Sequence, residues 1–439
     1  MKTILFPCVI LLFISAGCSQ KTSRTAPENL SEEISDIFVT EHLDHPVEEL
    51  LLSDAAQDIE IIPLETNENT IFRLFFNTVA GEQDIFIKTE EKILRFDKEG
   101  KFLNQIGKKG EGPEEILFCD GIGIDDKEKL VYAAAGLGID NQVKTYTYQG
   151  DFIKSVRVAP NGACMNSSMH REDRNFNFFD NKFIFRRMLP LMNPSEDIWQ
   201  IQVQDTSGAV IATFYDPATA GHEKEISENY MNEHTVLANS WSSSSPVQNR
   251  YGENINFMFD SNDTIYQYNP TENSLKPRYT LHCGDRSSFM NIHKFNKDPG
   301  YFDYTFVTDV LEAKDYLYLT AEKDHFSYLL RVDKKTGEVT TARWKGEIKE
   351  SPAMKIKRRK VPVPGFTNDL CGGLPFFPHS QNEKQWIEVY DAPDLLEKVD
   401  VDQLKKSKVI FPEKRDQLVR ILENLKEDDN PVVMVVTLK

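Results

Sequence analysis

One pattern occurs twice between Asp84 and Val158. The first copy runs Asp84-Ile-Phe-Ile, Lys92-Ile-Leu-Arg-Phe-Asp and Gly100-Lys-Phe-Leu-Asn-Gln-Ile. The second copy runs Lys129-Leu-Val-Tyr, Val143-Lys-Thr-Tyr-Thr-Tyr and Gly150-Asp-Phe-Ile-Lys-Ser-Val. Each copy contains three short alternating runs, and a glycine precedes the third run. Short strands that recur at a fixed spacing are typical of a repeated all-β unit, most often a propeller blade. The sequence therefore predicts an all-β protein.

The same strand pattern continues along most of the chain. Further predicted blades begin near Phe183, Ile255 and Phe306, and a less regular last blade follows Gly372. The stretch from Asp216 to Gly252 interrupts the pattern, and a loop of that length is usually functional or disordered. We expect part of it to contain an irregular strand of the fourth blade. The predicted fold is a six-bladed β-propeller over residues 50–439.

The two ends of the predicted domain are expected to meet in one sheet. Asp58–Glu65 is a convincing strand that precedes the first repeat, and Val432–Leu438 is a closing strand rich in β-branched residues. Pairing the two would close the ring and remove free sheet edges. One or two helices are predicted near the C-terminus, at about Pro393–Lys405 and Pro412–Lys426.

Composition limits the functional classes. The chain has 439 residues with 40% hydrophobic and 11% aromatic residues, which fits a β-rich globular protein. The net charge of −18 repels nucleic acid, so we expect no nucleic-acid partner. The cysteines after Cys18 are Cys119, Cys164, Cys283 and Cys371. Their spacing forms neither a CxxC motif nor a metal-binding pattern, and disulfides cannot be assigned from it.

The first residues indicate export. Lys2 precedes an apolar core from Ile4 to Ile14, which is too short to span a bilayer. The run Ser15-Ala16-Gly17-Cys18 resembles a bacterial lipobox, although Ser15 stands where an aliphatic residue is usual. We predict a lipoprotein signal peptide at 1–17, lipidation of Cys18, a flexible tether over 18–49 and anchoring to the outer membrane. An ordinary secretory signal is the alternative.

The chain resembles a family of six-bladed β-propeller lipoproteins of Bacteroides-type bacteria, with blades similar to NHL repeats. The segments that carry the resemblance are Ile62-Pro-Leu-Glu-Thr66, Phe96–Phe102 followed by Ile106–Glu115, Asp263–Tyr266 with Leu275–Tyr279, and Asn430-Pro-Val-Val433. Glu114 departs from the pattern, because the family usually has a second glycine there. The resemblance implies the fold and an envelope location, but it supplies no catalytic residues.

Several residues are candidate ligands. Asp120, Asn254 and Asp309 are oxygen donors that could hold a calcium-type divalent ion, as in six-bladed lactonases. His282, with Cys283 and Asp285 nearby, could line the channel or bind a metal, or could be a structural histidine. Trp241 lies in the long loop and Phe176, Phe178 and Phe179 flank a blade start, where they could form either an aromatic pocket or core. Gly107–Glu115 is interpreted as an inter-blade turn on the pocket face rather than a phosphate-binding loop.

The sequence favours a binding or interaction module that uses one face of the propeller. Glycans, peptides and envelope proteins are the partner classes considered, and the membrane is reached through the lipid on Cys18. No catalytic residue is predicted and no cofactor is required, apart from the divalent ion just described. A metal-dependent hydrolase or lactonase, or a lyase, acting in the propeller channel is the alternative, and a structural role in an envelope complex is a third.

Overall fold

The structure is a computed structural model with six β-sheets. It describes residues 35–47, 49–72, 75–89, 91–136, 141–159, 176–187, 197, 199–217, 220–221, 247–259, 262–284, 305–344 and 365–439. Each sheet contains four antiparallel strands, and one sheet has an additional fifth strand at its edge. The chain is therefore a six-bladed β-propeller, as its sequence predicted.

The first three blades follow one another along the chain, each from its inner to its outer strand. Blade one contains β3 (Phe75–Ala80), β4 (Asp84–Thr89), β5 (Ile93–Asp97) and β6 (Phe102–Ile106). Blade two contains β7 (Cys119–Asp125), β8 (Leu130–Ala135), β9 (Gln142–Thr147) and β10 (Phe152–Arg157). Blade three contains β11 (Phe176–Phe179), β12 (Lys182–Arg186), β13 (Ile201–Asp205) and β14 (Val210–Phe214).

The remaining blades use both ends of the described chain. Blade four contains β15 (Val247–Tyr251), β16 (Asn254–Met258), β17 (Thr264–Asn269) and β18 (Ser274–His282), with β1 (Ser35–Phe38) added at its outer edge. Blade five contains β19 (Phe306–Glu312), β20 (Tyr316–Lys323), β21 (Phe326–Asp333) and β22 (Val339–Arg343). Blade six contains β23 (Ser380–Gln381), β24 (Gln385–Tyr390), β25 (Val432–Leu438) and β2 (Ala56–Pro63).

Blade six closes the ring. β2 pairs antiparallel with β25, with Ile59 opposite Val436 and Ile61 opposite Met434. All four of these side chains are buried. The predicted pairing of the two terminal strands is therefore confirmed, and it covers one edge of β2 and leaves β25 paired on both edges.

Helices lie within blade six, between its second and third strands. They are α1 (Ala392–Lys398), α2 (Val401–Lys406) and α3 (Pro412–Asn424). The first predicted helix, Pro393–Lys405, is in fact two, because the backbone is extended at Val399 and Asp400. The Asp400 side chain then caps α2 by accepting a hydrogen bond from the Gln403 N–H.

Glycines in the turns between the third and fourth strands bring neighbouring blades together. Gly100, Gly150 and Gly208 all have positive φ values. A Cβ atom at Gly150 would lie 2.7 Å from the Gln105 carbonyl oxygen of the preceding blade. Cβ atoms at Gly100 and Gly208 would lie even closer to backbone carbonyl oxygens of the adjacent blade, at 2.1 and 2.3 Å. The repeated glycine therefore serves both the turn and the contact between blades.

Aromatic side chains fill the spaces between blades. Between blades five and six, Phe366 stacks on Trp386 with ring centroids 5.6 Å apart, and Tyr318 meets Trp386 edge-on at 5.9 Å. All three side chains are completely buried. Large aromatic residues bury about 150–250 Å² each, so such clusters supply much of the apolar burial that holds one blade to the next.

A buried carboxylate joins blades four and five. Glu312, at the end of β19, is 1% exposed and accepts two hydrogen bonds of 2.8 Å from the Arg278 guanidinium on β18. Lys334 also donates to it at 2.9 Å, and Asn256 on β16 is a fourth partner through its Nδ2. The two cations and the amide satisfy the carboxylate inside the interface between the blades.

The second half of the expected tether is part of the fold. β1 runs parallel to β18, and Ile37, Val39 and Leu43 are buried beside blade four. The chain then passes blade five, where the Val47 N–H donates to the Thr341 carbonyl at 2.7 Å, before it enters β2. The segment 35–55 thus forms an outer belt around three blades, whereas the sequence predicted a flexible tether as far as residue 49. Three apolar residues in a polar stretch are enough to pack it against the sheet edge.

Candidate functional site

The inner strands of all six blades surround a central cavity of about 590 Å³. Every inner strand contributes side chains to its lining. Representatives are Thr78 of β3, Ile122 of β7, Phe179 of β11, Arg250 of β15, Asp309 of β19 and Gln381 of β23. This volume lies within the range of small-molecule sites. We call this space the axial cavity.

The axial cavity opens at one end of the ring. Its lining includes the turns between the first and second strands of four blades, at Gly81, Asp126, Asp180 and Glu383. Strands alternate in direction, so these turns lie at the opposite end from the inter-blade connections such as 107–118. The sequence predicted the pocket on the face of those connections, but the axial cavity is lined by turns of the other face.

Side-chain amides connect the inner strands of neighbouring and nearby blades around the axis. Asn177 donates to the Gln248 side chain at 3.2 Å, and Asn249 donates to the Gln381 side chain at 2.7 Å. Gln381 in turn donates to the Gln248 carbonyl at 3.2 Å, and Asn382 donates to the Ala80 carbonyl at 3.0 Å. Amides carry both donors and acceptors, so they can pair with the exposed edges of short inner strands. These bonds hold the walls of the axial cavity in place.

Arg250 places a largely buried guanidinium in the axial cavity. Its guanidinium lies over the Phe179 ring, 4.9 Å from the centroid. Its Nε atom is fully buried and has no hydrogen-bond partner among the described residues. Burial lowers the pKa of Arg250, and the Glu383 carboxylate at the mouth acts in the opposite direction. The guanidinium remains charged at neutral pH, because an arginine is effectively never deprotonated in a protein.

Other polar atoms of the lining are also buried without a hydrogen-bond partner among the described residues, and they include Asn77 Oδ1, Thr78 Oγ1 and Ser380 Oγ. Thr78 is 0% exposed. A buried polar group without a partner costs free energy, so such groups usually indicate a ligand or an ordered water.

The acidic groups at the mouth already have partners. Asp126 accepts from Lys129 at 2.7 Å, from the Glu82 N–H at 2.7 Å and from the Tyr148 hydroxyl at 2.9 Å. Burial raises the pKa of Asp126, but the hydrogen bonds from Lys129, Glu82 and Tyr148 outweigh it and the pKa lies below its usual value. Asp180 is paired with Lys182. These carboxylates therefore differ from Arg250, whose charge has no such partner.

The structure separates the predicted metal ligands. Asp309 lines the axial cavity, but its Oδ1 accepts a hydrogen bond from the Val310 N–H. Asp120 belongs to blade two, across the ring from blade five, and Asn254 is exposed at the turn that starts β16. No three histidine, cysteine, aspartate or glutamate side chains of the described residues lie close enough together to hold a metal ion.

His282 lies on the outer rim and not in the channel. Its Nε2 atom is 2.6 Å from the Asp36 carboxylate, and its ring stacks on Phe38 with centroids 4.5 Å apart. It thereby attaches β1 to the edge of β18. This is the role of a structural histidine, one of the alternatives that the sequence left open. Trp241, Asp285 and Cys18 lie outside the described residues, as does the signal peptide at 1–17.

The aromatic candidates divide between pocket and core. Phe178 and Phe179 line the axial cavity, while Phe176 packs between blades two and three. Phe178 also stacks on Tyr132 at 4.4 Å, so one ring serves both purposes.

The glycine-rich loop 107–115 is an inter-blade turn, as the sequence analysis interpreted it. The buried Lys144 ammonium donates to the carbonyl oxygens of Gly112, Pro113 and Glu115. Carbonyl groups therefore converge on a cation, whereas a phosphate-binding loop would present converging N–H groups. The Glu114 carbonyl accepts a hydrogen bond from the Tyr146 hydroxyl at 2.8 Å, which fixes the residue where the sequence departs from the family.

Sequence reasoning missed Arg250, Asn77, Thr78 and Ser380. Arg250 belongs to β15, which the sequence analysis expected only as an irregular strand within 216–252. The signal was the run Val247-Gln-Asn-Arg-Tyr251, followed by a Gly252 turn and the next strand.

In the described part of the chain, no helix is long and apolar enough to cross a membrane.

These features define a six-bladed propeller with an axial cavity lined by both polar and apolar side chains. The chain belongs to the family described as "Domain of unknown function (DUF4934)", whose model matches residues 34–437. No protein with curated annotation matches the chain.

One solved structure shows the same fold, and others are similar at lower TM-scores. A Bacteroides fragilis protein that is described as exported has a TM-score of 0.56 at 16% identity, over 92% of this chain and 99% of that one. A DUF4221 family member from Bacteroides vulgatus has a TM-score of 0.39 at 14% identity, over 66% and 86% of the two chains. The extracellular domain of a one-component system from B. thetaiotaomicron has a TM-score of 0.35 at 10% identity, over 65% and 29%.

The predicted resemblance to six-bladed propeller proteins of Bacteroides-type bacteria is confirmed by the family match and the B. fragilis structure. The lipid anchor and the kinship with NHL repeats stay predictions.

Proposed function

We propose that this protein is an exported envelope lipoprotein that binds a small ligand in the axial cavity. The observation that carries the proposal is the lining: every blade contributes to it, and Arg250, Asn77, Thr78 and Ser380 each have a buried polar atom without a partner among the described residues. A rigid ring that presents such groups in a cavity is suited to recognition.

Export is supported by the sequence of the first residues. The charged start, the apolar core and the small residues before Cys18 are the features that a signal peptidase and the lipidation pathway require. The B. fragilis protein of the same fold is described as exported. In this proposal the lipid on Cys18 anchors the chain to the outer membrane, and the belt at 35–55 connects the anchor to the propeller.

Ligand binding is tested with the full chain in mild detergent, by following its thermal midpoint through intrinsic tryptophan fluorescence. A ligand that binds only the folded state raises the midpoint, and the stabilisation grows with the logarithm of the ligand concentration above its Kd. Neutral sugars, sugar acids, short peptides and divalent ions are the compounds to compare. If no compound shifts the midpoint at millimolar concentration, the proposal of a small-ligand site is wrong. A shift by divalent ions alone would favour the metal-dependent hydrolase instead.

Anchoring is tested separately with Cys18→Ser. We expect the variant to leave the membrane fraction, because the thiol that would carry the lipid is absent. Cys119→Ser is the matched control and should stay in the membrane fraction. Unchanged membrane association of Cys18→Ser would contradict the lipid anchor.

A further inference from the structure

We infer that the axial cavity recognises a small hydroxy-carboxylate, with its carboxylate on Arg250. The inference rests on the proposed function and specifies its ligand. A guanidinium presents parallel N–H groups whose spacing matches the two oxygens of a carboxylate. In the described structure Arg250 has an aromatic ring beneath it and no acidic partner within ion-pairing distance.

The surrounding charges favour a single negative charge on the ligand. The lining of the axial cavity is acidic on balance, because six carboxylates stand against four cations, and the protein as a whole has a net charge of −18. The carboxylates are Glu82, Asp125, Asp126, Asp180, Asp309 and Glu383, and the cations are Lys127, Arg186, Arg250 and Lys384. This field opposes the entry of a dianion such as a phosphate monoester. Asp126 and Asp180 have lysine partners, which reduces their attraction for a free amine. A monoanion therefore fits Arg250 better than a phosphate or a cation does.

The remaining polar atoms indicate hydroxyl groups on the ligand. Asn77 Oδ1 can only accept a hydrogen bond, so its partner must be a donor. The Thr78 and Ser380 hydroxyls can donate or accept. A polyhydroxylated molecule meets all three requirements, and the face of Phe178 can contact its apolar side.

The cavity also limits ligand size. At roughly 30 Å³ for each water-sized group, a volume of about 590 Å³ holds on the order of 20 non-hydrogen atoms. A sugar acid of one ring fits with room for water, and a compound of two rings would fill the space. Longer polymers would have to extend through the mouth.

The test measures binding of D-glucuronate, D-glucose and D-glucose 6-phosphate to the full chain by calorimetry. D-glucuronate should bind at least tenfold more tightly than either of the other two. Equal binding of D-glucose would show that the carboxylate is not recognised, and tighter binding of the phosphate would assign a different anion to the site. In both cases the cavity would still be a binding site, so the proposed function would survive.

Variants assign the effect to Arg250. Arg250→Gln should weaken D-glucuronate binding at least tenfold and leave D-glucose binding unchanged. The affinity of Arg250→Lys for D-glucuronate should lie between that of Arg250→Gln and that of the wild type. Lys127→Gln is the matched control, because Lys127 lines the mouth and is exposed. It should change D-glucuronate binding by less than about twofold, since exposed charges are screened. An equal loss of D-glucuronate affinity in Lys127→Gln would show that the effect comes from the overall charge of the site and not from Arg250, and it would overturn the inference.

A readout without ligand separates recognition from a structural role. Removal of a charge that has no partner should leave the thermal midpoint of ligand-free Arg250→Gln unchanged or higher. A midpoint lower than that of the wild type would make Arg250 a structural residue. If D-glucuronate, D-galacturonate and D-gluconate all fail to bind the wild-type chain, the inference is wrong. The proposed function would then depend on whether any other compound in the thermal-midpoint experiment binds.

Discussion

Replacement of Glu312 by alanine tests how the interface between blades four and five is stabilised. The carboxylate is 1% exposed and holds Arg278 and Lys334, whose side chains are only 27% and 19% exposed. Glu312→Ala leaves both cations partly buried without their partner. The loss of one member of a buried ion pair costs about 3–5 kcal/mol. Unfolding entropy is about 2.1 cal/mol/K per residue, or roughly 0.8 kcal/mol/K for a fold of roughly 400 residues. The expected fall in the thermal midpoint is therefore about 4–6 °C.

Glu272→Ala is the matched control for that experiment. Glu272 pairs with Lys276 at 2.6 Å, but both side chains are more than half exposed. Exposed pairs contribute about 0–1 kcal/mol, so the midpoint should fall by no more than about 1 °C. Differential scanning calorimetry at one scan rate measures both variants. Equal midpoints for the two would refute the argument that burial makes the Glu312 network strong. A double variant, Glu312→Leu with Arg278→Met, should recover part of the loss, because it leaves fewer unpaired charges.

Three further predictions concern turns, thiols and tyrosines. Gly208→Ala should destabilise the fold by about 2–4 kcal/mol, because the position combines a positive φ with a clash between the new Cβ atom and the Arg157 backbone. Gly337→Ala is the control and should cost only about 1 kcal/mol, because no atom lies within 4 Å of its Cβ position. Thermal midpoints compare the two, and equal losses would contradict the inter-blade contact. Burial raises the pKa of the Cys371 thiol to about 12, so iodoacetamide at neutral pH should modify the partly exposed Cys119 at least about tenfold faster, as measured by peptide mass spectrometry. Comparable rates would show that Cys371 is accessible. Burial also raises the pKa of Tyr132 to about 12 and raises the pKa values of Tyr146 and Tyr148. The contribution of these tyrosines to the free energy of unfolding should therefore be fully present below about pH 10, and it should fall above that pH as the tyrosines of the unfolded chain ionise. A midpoint that stays constant through that range would contradict it.

Much of the fold could be predicted from sequence because the blades repeat. The alternation around Ile85 and Ile93 and the glycines at 100 and 150 recur for physical reasons: one face of each strand is buried, and each turn must approach its neighbour. The closing pair of strands could be predicted from its β-branched residues. The inner strands β11 and β15 were harder, because strands beside the axis carry polar residues such as Asn177, Gln248 and Asn249, and hydrophobic alternation is weak there.

The candidate site was less predictable than the fold. Periodicity identifies strands, but it does not tell which strand of a blade lies at the axis or which residues face it. The sequence left His282 open as a channel residue or a structural histidine, because it did not show that the residue belongs to an outer strand, and Arg250 was overlooked although it belongs to an inner one. Of the proposed oxygen donors, Asp309 lines the axial cavity and Asn254 is exposed at a turn. The relevant signal was the position of each strand within its blade, which requires all four strands of that blade to be identified.

The pairing of β2 with β25 has a consequence for biogenesis. Blade six needs residues from both ends of the domain, so synthesis and transport must deliver Val432–Leu438 before the circle can be sealed. Until then the earlier blades form an open arc with strands unprotected at each extremity. If the chain is exported as proposed above, it crosses the membrane in this open state and depends on holding chaperones until its last strand docks. Mutations that slow the arrival or docking of its last eight or so residues should therefore lower yield in the cell more than they lower the stability of the finished protein.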